Sequence, residues 1–296
     1  MRKMPQIAYD KIGKYIVKRI IRSTGSSDLY ECFDPDLQTR VAVKVFDVKK
    51  RLLKKLPYSV ASWRRRFLRE ARVLAQIDHP HVIAVRDLSY VGDKPFYVMP
   101  YIATNLLYEM GRDGPAQGYA PEIQDTPEAR TLDVLRTCDI LFQVGSALSA
   151  FHGRGLVHRD IKPANVLLTQ LNVGLVKLCD TGMVKFPNSE ESQAGYWIGT
   201  EDFIAPEQKR DSKSVDARAD IFALGVLGYR MLTGELPRGA FDPPKEMRED
   251  VPEALSQLVM QALSPKLERR PANALAFLQE VAPIRANIRM KGTKIG

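Results

Sequence analysis

The stretch His158-Arg159-Asp160-Ile161-Lys162-Pro163-Ala164-Asn165 decides how this chain is read. It packs an acid, a base and a carboxamide into eight residues, directly before the apolar run Val166-Leu167-Leu168. A carboxylate at Asp160 is suited to accept the proton of an attacking hydroxyl. Lys162, two residues on, would neutralise a moving phosphoryl group. Asn165, five residues on, would hold a metal ion.

Residue for residue, the segment resembles the catalytic loop of eukaryotic-like, or Hanks-type, protein kinases. Lys162 and Pro163 are of the Ser/Thr rather than the Tyr type. Further pieces fall in the family's order. Val41-Ala42-Val43-Lys44 resembles the strand whose lysine contacts the α- and β-phosphates, and a lone charge in such a β-branched run is costly to bury. Its expected partner is Glu70, in Phe67-Leu68-Arg69-Glu70-Ala71. Leu178-Cys179-Asp180-Thr181-Gly182 resembles the metal-binding motif that opens the activation segment. Gly199-Thr200 and Ala205-Pro206-Glu207 resemble its end. By the same resemblance, Glu207 pairs with Arg270, and Asp220 anchors the catalytic loop from below. Gly13-Lys14-Tyr15 and Met231-Leu232-Thr233-Gly234-Glu235-Leu236-Pro237 are most similar to bacterial members.

The resemblance implies an α+β, bilobal kinase fold. Residues 1–99 would form a β-rich N-lobe with one main helix, 100–284 a mostly helical C-lobe, and 285–296 a basic tail or linker. A crevice would lie between the lobes. The implied activity is transfer of the γ-phosphoryl group of ATP to Ser or Thr hydroxyls of proteins, autophosphorylation included. Asp160, Lys162, Asn165 and Thr200 would be catalytic, with Thr200 bridging Asp160 and Lys162. Asn165 and Asp180 would hold Mg²⁺, or Mn²⁺ in its place, since hard oxygen ligands suit such ions. Lys44, set by Glu70, would hold the phosphates under Gly25. Adenine would lie against Leu29, Ala42 and Leu167, below the hinge residues Tyr101 and Ile102, with Met99 behind it.

Two breaks in the pattern keep a second reading open, a pseudokinase acting as scaffold or binding module. The phosphate-covering loop should read G-x-G-x-x-G-x-V, but Arg22, Thr24 and Ser27 replace its three glycines. Glycines matter there because the backbone must turn tightly and approach phosphate closely. Thr181 stands where the family has a Phe that packs into an apolar column. Two finer expectations follow from the resemblance. Arg159 would receive an activation-loop phosphate from Ser189 or Ser192, with Glu190 and Glu191 partly replacing it. Arg230 and Ala164 stand where arginine-directed kinases place acids, so neutral or acidic substrate sequences are expected.

Periodicity agrees with this order. Strand-like runs occupy Tyr15–Ile21, Leu29–Phe33, Val41–Phe46, Val82–Asp87 and Phe96–Met99. A helix is expected over Trp63–Ile77, capped by Ser62, and further helices over Leu132–Arg154, Ala217–Leu232, Glu253–Leu263 and Asn273–Val281. A Gly- and Pro-rich loop separates Gly111 from Thr131. The net charge of +9 is concentrated in residues 49–72, which hold ten basic residues and the single acid Glu70. Such a stretch is either a surface for acidic partners or a solvated helix face. Nucleic acid is not expected as a partner. The spacing of Cys32, Cys138 and Cys179 matches no metal motif, so reduced thiols in a cytoplasmic protein, or in the cytosolic part of a membrane receptor, are expected. No signal peptide or membrane-spanning stretch is expected.

Overall fold

The computed structural model describes residues 9–49, 59–113, 128–180, 201–210 and 215–293. Thr181, Ser189, Glu190, Glu191, Ser192 and Thr200 lie outside them, as do Lys50, Arg51, Lys54 and Lys55 of the basic stretch. The described residues form two units. The first comprises 9–78 and 83–102; the second takes 79–82 and continues from 103. The division expected at 99/100 therefore falls three residues early, and a short piece from 79 to 82 changes sides.

The first unit is one antiparallel sheet with one helix. Its strands are β1 (Lys11–Ile12), β2 (Tyr15–Ser23), β3 (Ser27–Asp34) and β4 (Thr39–Phe46), then β5 (Asp87–Val91) and β6 (Lys94–Pro100), in the order β1-β2-β3-β4-β6-β5. Alternation decides what each face does. Val41, Val43 and Val45 join Tyr15, Tyr30, Phe96 and Val98 in a buried cluster, each such burial stabilising by about 1.5–3 kcal/mol. Ala42, Lys44 and Phe46 point to the opposite face, which helix α1 (Val60–Gln76) covers. There the Phe67 ring lies 5.6 Å from Phe46 and 5.2 Å from Tyr97.

The cap of α1 is Ser59, not Ser62: the Ser62 amide donates to Ser59 Oγ at 3.1 Å. Both serines have capping chemistry, and the helix starts at the earlier one. The strand expected at Val82–Asp87 is also displaced. Val82 makes only an isolated bridge with Leu178, and the ladder begins at Asp87 opposite Val98. The apolar pair Val82-Ile83 is spent on burial, at 2% and 1% exposure, rather than on strand pairing.

The second unit is mostly helical. A small sheet holds β7 (Thr104–Asn105), β8 (Val166–Leu168) and β9 (Val176–Leu178). The helices are α2 (Leu107–Met110), α3 (Val134–His152), α4 (Pro206–Arg210), α5 (Arg218–Thr233), α6 (Pro244–Met247), α7 (Glu253–Ala262) and α8 (Ala274–Thr293). Asp133 caps α3 by accepting the Arg136 amide at 3.0 Å. Gly225 lets α5 lie close to α7, since a Cβ there would meet Ala262 Cβ at 2.9 Å. By length and mean hydropathy, 1.2, α3 just reaches what crossing a membrane takes, but 61% of its apolar window is buried inside the protein. It is the core helix of this unit.

The expected basic tail is corrected. Helix α8 runs on through Pro283 to Thr293. Arg285 pairs with Asp139 of α3 and lies 4.7 Å from the Phe142 ring, and Arg289 reaches Asp139 at 2.8 Å. Periodicity ended the helix at Val281, where its apolar face stops. Ion pairs to α3 accompany the next three turns.

Candidate active site

The functional side chains form two sets, one in each unit. In the first unit, register brings them together. Leu29 pairs with Lys44, Ala42 with Met99, and Lys44 with Tyr97. Directly paired residues share a face, so Leu29, Ala42, Lys44, Tyr97 and Met99 line one side of the sheet. Lys44 Nζ donates to Glu70 Oε1 at 2.7 Å, with both side chains largely shielded, 15% and 4% exposed. The Tyr97 hydroxyl donates to the same oxygen at 2.8 Å. Sequence reading missed Tyr97. The signal was available in the alternation of Phe96-Tyr97-Val98-Met99, which puts Tyr97 on Lys44's side. The Tyr101 phenol accepts from Arg19 at 2.9 Å and lies 5.0 Å from the Arg40 guanidinium. That side chain serves the sheet, so only the backbone of Tyr101 is left for a hinge role. Gly25 sits at the tip of the β2–β3 hairpin, its carbonyl accepting the Lys49 amide at 2.8 Å.

In the second unit, Lys162 Nζ donates to both Asp160 oxygens, at 2.8 and 2.7 Å. Asn165 Nδ2 donates to the Asp160 carbonyl at 2.8 Å and to its Oδ2 at 2.9 Å. With its nitrogen committed, Asn165 has its amide oxygen left for a metal ion. The Asn165 carbonyl accepts the Cys179 amide at 3.0 Å, which holds the residue before Asp180 against the loop. Among the described residues no three His, Cys, Asp or Glu form a metal cluster. A divalent ion here would lean on Asn165, Asp180 and phosphate oxygens, which fits an ion that keeps few protein ligands. Leu167 is half-buried on β8.

The loop is held from below by Asp220, fully buried on α5. Its carboxylate accepts the amides of His158 and Arg159 at 2.8 and 2.7 Å, and His152 Nε2 at 2.9 Å. His152 Nδ1 accepts the Ala274 amide at 3.0 Å, which fixes the tautomer that donates to Asp220. Burial pushes the Asp220 carboxyl up, but the bond from His152 and the Arg159 amide help hold it below the usual carboxylate range. Arg159 and Asp180 both take left-handed backbone, φ 68° and 64°, which is unusual for residues with a Cβ. The two bonds to Asp220 constrain Arg159 there. Glu207 and Arg270 form the expected pair, at 2.7 and 3.1 Å.

Arg230 is corrected. It was expected near the acceptor site as a reader of substrate charge. It is instead wholly buried. Its guanidinium pairs with Asp113 and donates to the carbonyls of Met110, Gly111 and Arg130 at 3.0–3.3 Å. A position alone could not show that the chain after α2 would turn four acceptors towards it. On α1, Arg65 and Arg72 are exposed while Arg64, Arg66 and Arg69 are half-buried.

A carboxylate held by a lysine and a carboxamide, with the strand end that carries Asp180 bonded to the same loop, is the constellation of a phosphoryl-transfer site. The chain belongs to the protein kinase domain family, which it matches over residues 15–295. The DNA damage-responsive serine/threonine-protein kinase RqkA of Deinococcus radiodurans is 31% identical over 290 residues, 91% of this chain and 40% of that protein. The serine/threonine-protein kinase PknA of Mycobacterium tuberculosis is 30% identical, covering 96% of this chain and 64% of its own length. The solved PknI kinase domain of M. tuberculosis shares the fold, with a TM-score of 0.64, 23% identity and coverage of 93% and 97%. These relatives are bacterial Hanks-type Ser/Thr kinases, a family that works on proteins with ATP and a divalent metal. This chain spans between a quarter and two thirds of the length of the curated relatives it matches.

Proposed function

We propose that this chain transfers the γ-phosphoryl group of ATP to Ser and Thr hydroxyls of proteins, itself included. The observation that carries the reading is the Asp160 carboxylate held through both oxygens by Lys162 and through one by Asn165. Asp160 orients the acceptor hydroxyl and takes its proton, a role worth about 10²–10⁴ in rate. Lys162 then faces the charge of the group in transit. Lys44, set by Glu70, takes the nucleotide phosphates, while Leu29, Ala42 and Met99 give adenine an apolar surface. Asn165 and Asp180 would hold Mg²⁺, or Mn²⁺ in its place, and the ion would supply neutralisation of phosphate charge. The scaffold alternative would predict a lost base, lysine or metal ligand, and each of these groups is in place.

An acidic protein substrate is part of this reading. Its support is the arginines of α1, which would attract such a partner at a distance as a docking surface. Control by phosphorylation of Ser189 or Ser192, read by Arg159, is a further part; mass spectrometry of active protein with no phosphate between 186 and 200 would remove it. The central test is incubation with radiolabelled ATP, Mg²⁺ and an acceptor protein. Label on Ser or Thr is expected from the wild type, with a loss of roughly 10²-fold or more in Asp160→Asn. Near-normal transfer by both Asp160→Asn and Lys44→Met would refute the assignment.

A further inference from the structure

The β2–β3 hairpin occupies the place of the glycine-rich phosphate cradle, yet its tip is built from hydroxyls. Thr24 Oγ1 accepts the amides of Ser26 and Ser27 at 3.3 and 3.0 Å. It donates its own proton to the Ser27 carbonyl at 2.9 Å, and the Thr24 amide reaches the same carbonyl at 2.8 Å. The tip is tied down from outside as well. Ser23 and Lys49 bond the two oxygens of Asp28. The amides of Lys49 and Asp47 donate to the carbonyls of Gly25 and Ser26 at 2.8 and 3.0 Å. Ser27 and Asp28 are buried, at 5% and 7% exposure. No residue from 22 to 28 has left-handed backbone, so the turn makes no use of the freedom of Gly25.

We propose that Thr24 is a positioning residue that satisfies the phosphate-seeking amides of this loop internally and thereby weakens the hold on the nucleotide's outer phosphates. The inference rests on the kinase reading above. The Thr24 hydroxyl oxygen takes the hydrogen bonds that a phosphate oxygen would take. A triphosphate must displace it before gaining those amides, so the exchange yields little net free energy. The Thr24 Cβ, where the family has glycine, also restricts close approach of the backbone. Three substitutions separate hydroxyl from shape. Thr24→Ser keeps the hydroxyl, Thr24→Val keeps the shape without it, and Thr24→Gly removes both.

The test measures calorimetric binding of ATP and of AMP with Mg²⁺ to the wild type and the three variants. Exchange of the Ser26 and Ser27 amides is followed by NMR in the nucleotide-free proteins. Thr24→Val and Thr24→Gly are expected to bind ATP about five-fold more tightly, with AMP affinity unmoved because AMP lacks the outer phosphates. The gain should appear in KM for ATP rather than in kcat. The two amides should exchange about five-fold faster, and Thr24→Ser should match the wild type. Equal ATP affinity in all four proteins, or tighter binding by Thr24→Gly alone, would overturn the role of the hydroxyl, as would unchanged amide exchange. Absence of ATP binding in every protein would instead sink the kinase reading, and this inference with it.

Discussion

Tyr97 donates its hydroxyl to the same Glu70 oxygen that holds Lys44. The carboxylate is thus fixed by two donors from neighbouring strands, β4 and β6, while α1 presents it. A Lys–Glu pair alone leaves the glutamate free to rotate about its own side-chain torsions; the phenol removes that freedom. Tyr97→Phe should lower kcat/KM several-fold and cost about 1.5–3 kcal/mol of stability, as for a lost hydrogen bond to a charged group. Lys44→Met should lose far more activity with less effect on melting. Steady-state kinetics beside thermal melts separates the two. Full activity in Tyr97→Phe would show that the phenol is not needed to position Glu70.

Arg230 is a structural clamp rather than a reader of substrate. Arg230→Glu would place a buried carboxylate beside Asp113 and three carbonyl oxygens. Breaking a buried pair in this way costs roughly 3–5 kcal/mol. The expected result is a sharp fall in melting temperature with no new preference for arginine on a positional peptide array. A stable variant that acquired such a preference would restore the substrate role.

The Glu207–Arg270 pair makes a similar demand. Arg270 is buried against Phe222, 4.8 Å from its ring, and also bonds the carbonyls of Arg218 and Ser264 at 3.0 and 2.7 Å. Glu207→Ala should leave that cation buried with only carbonyls for company, at a cost of about 3–5 kcal/mol. Arg270→Leu with Glu207→Leu should recover part of the loss, because two apolar groups need no partners. A denaturant double-mutant cycle measures the coupling; strict additivity would show the pair contributes none.

Much of this was legible because charge in an apolar context is hard to explain otherwise. Lys44 amid valines, and Asp160, Lys162 and Asn165 before Val166, announced themselves by type and spacing. What stayed hidden depended on partners distant in the chain. Tyr97 reads as an ordinary β-former until the register sets it beside Lys44. Arg230 reads as an exposed charge until Asp113, well over a hundred residues away, turns towards it. Helix ends slipped where two residues offered the same chemistry, as Ser59 and Ser62 did. The continuation of α8 past Val281 is accompanied by ion pairs with Asp139 on α3, and no local pattern in α8 points to them.

The last prediction concerns acid. His158 is fully buried, its Nδ1 accepts the Asp160 amide at 3.4 Å, and its Nε2 has no hydrogen-bond partner. Burial holds its pKa below the ordinary 6.5; the facing carboxylates of Asp220, Asp160 and Asp180 oppose this, and Lys162 reinforces it. His81 shifts the same way, chiefly through burial, despite its bond to the Val176 carbonyl. Above pH 6.5 both the folded and unfolded chains leave these rings neutral, and they contribute no pH dependence. Below it the unfolded chain binds protons that the folded chain refuses, so stability falls, by at most about 1.4 kcal/mol per pH unit for each ring. Asp220 acts in a lower window with the same sign: its carboxylate is depressed, so its contribution persists down to about pH 4 and is lost only below that. Between pH 6.5 and 5 the histidines therefore dominate. Melting temperature should decline across that range, and the decline should be shallower in His158→Phe and in His81→Gln. If His158→Phe proves too unstable to assay, NMR titration of the His158 ring in the wild type decides the point, since protonation near pH 6.5 would contradict the argument.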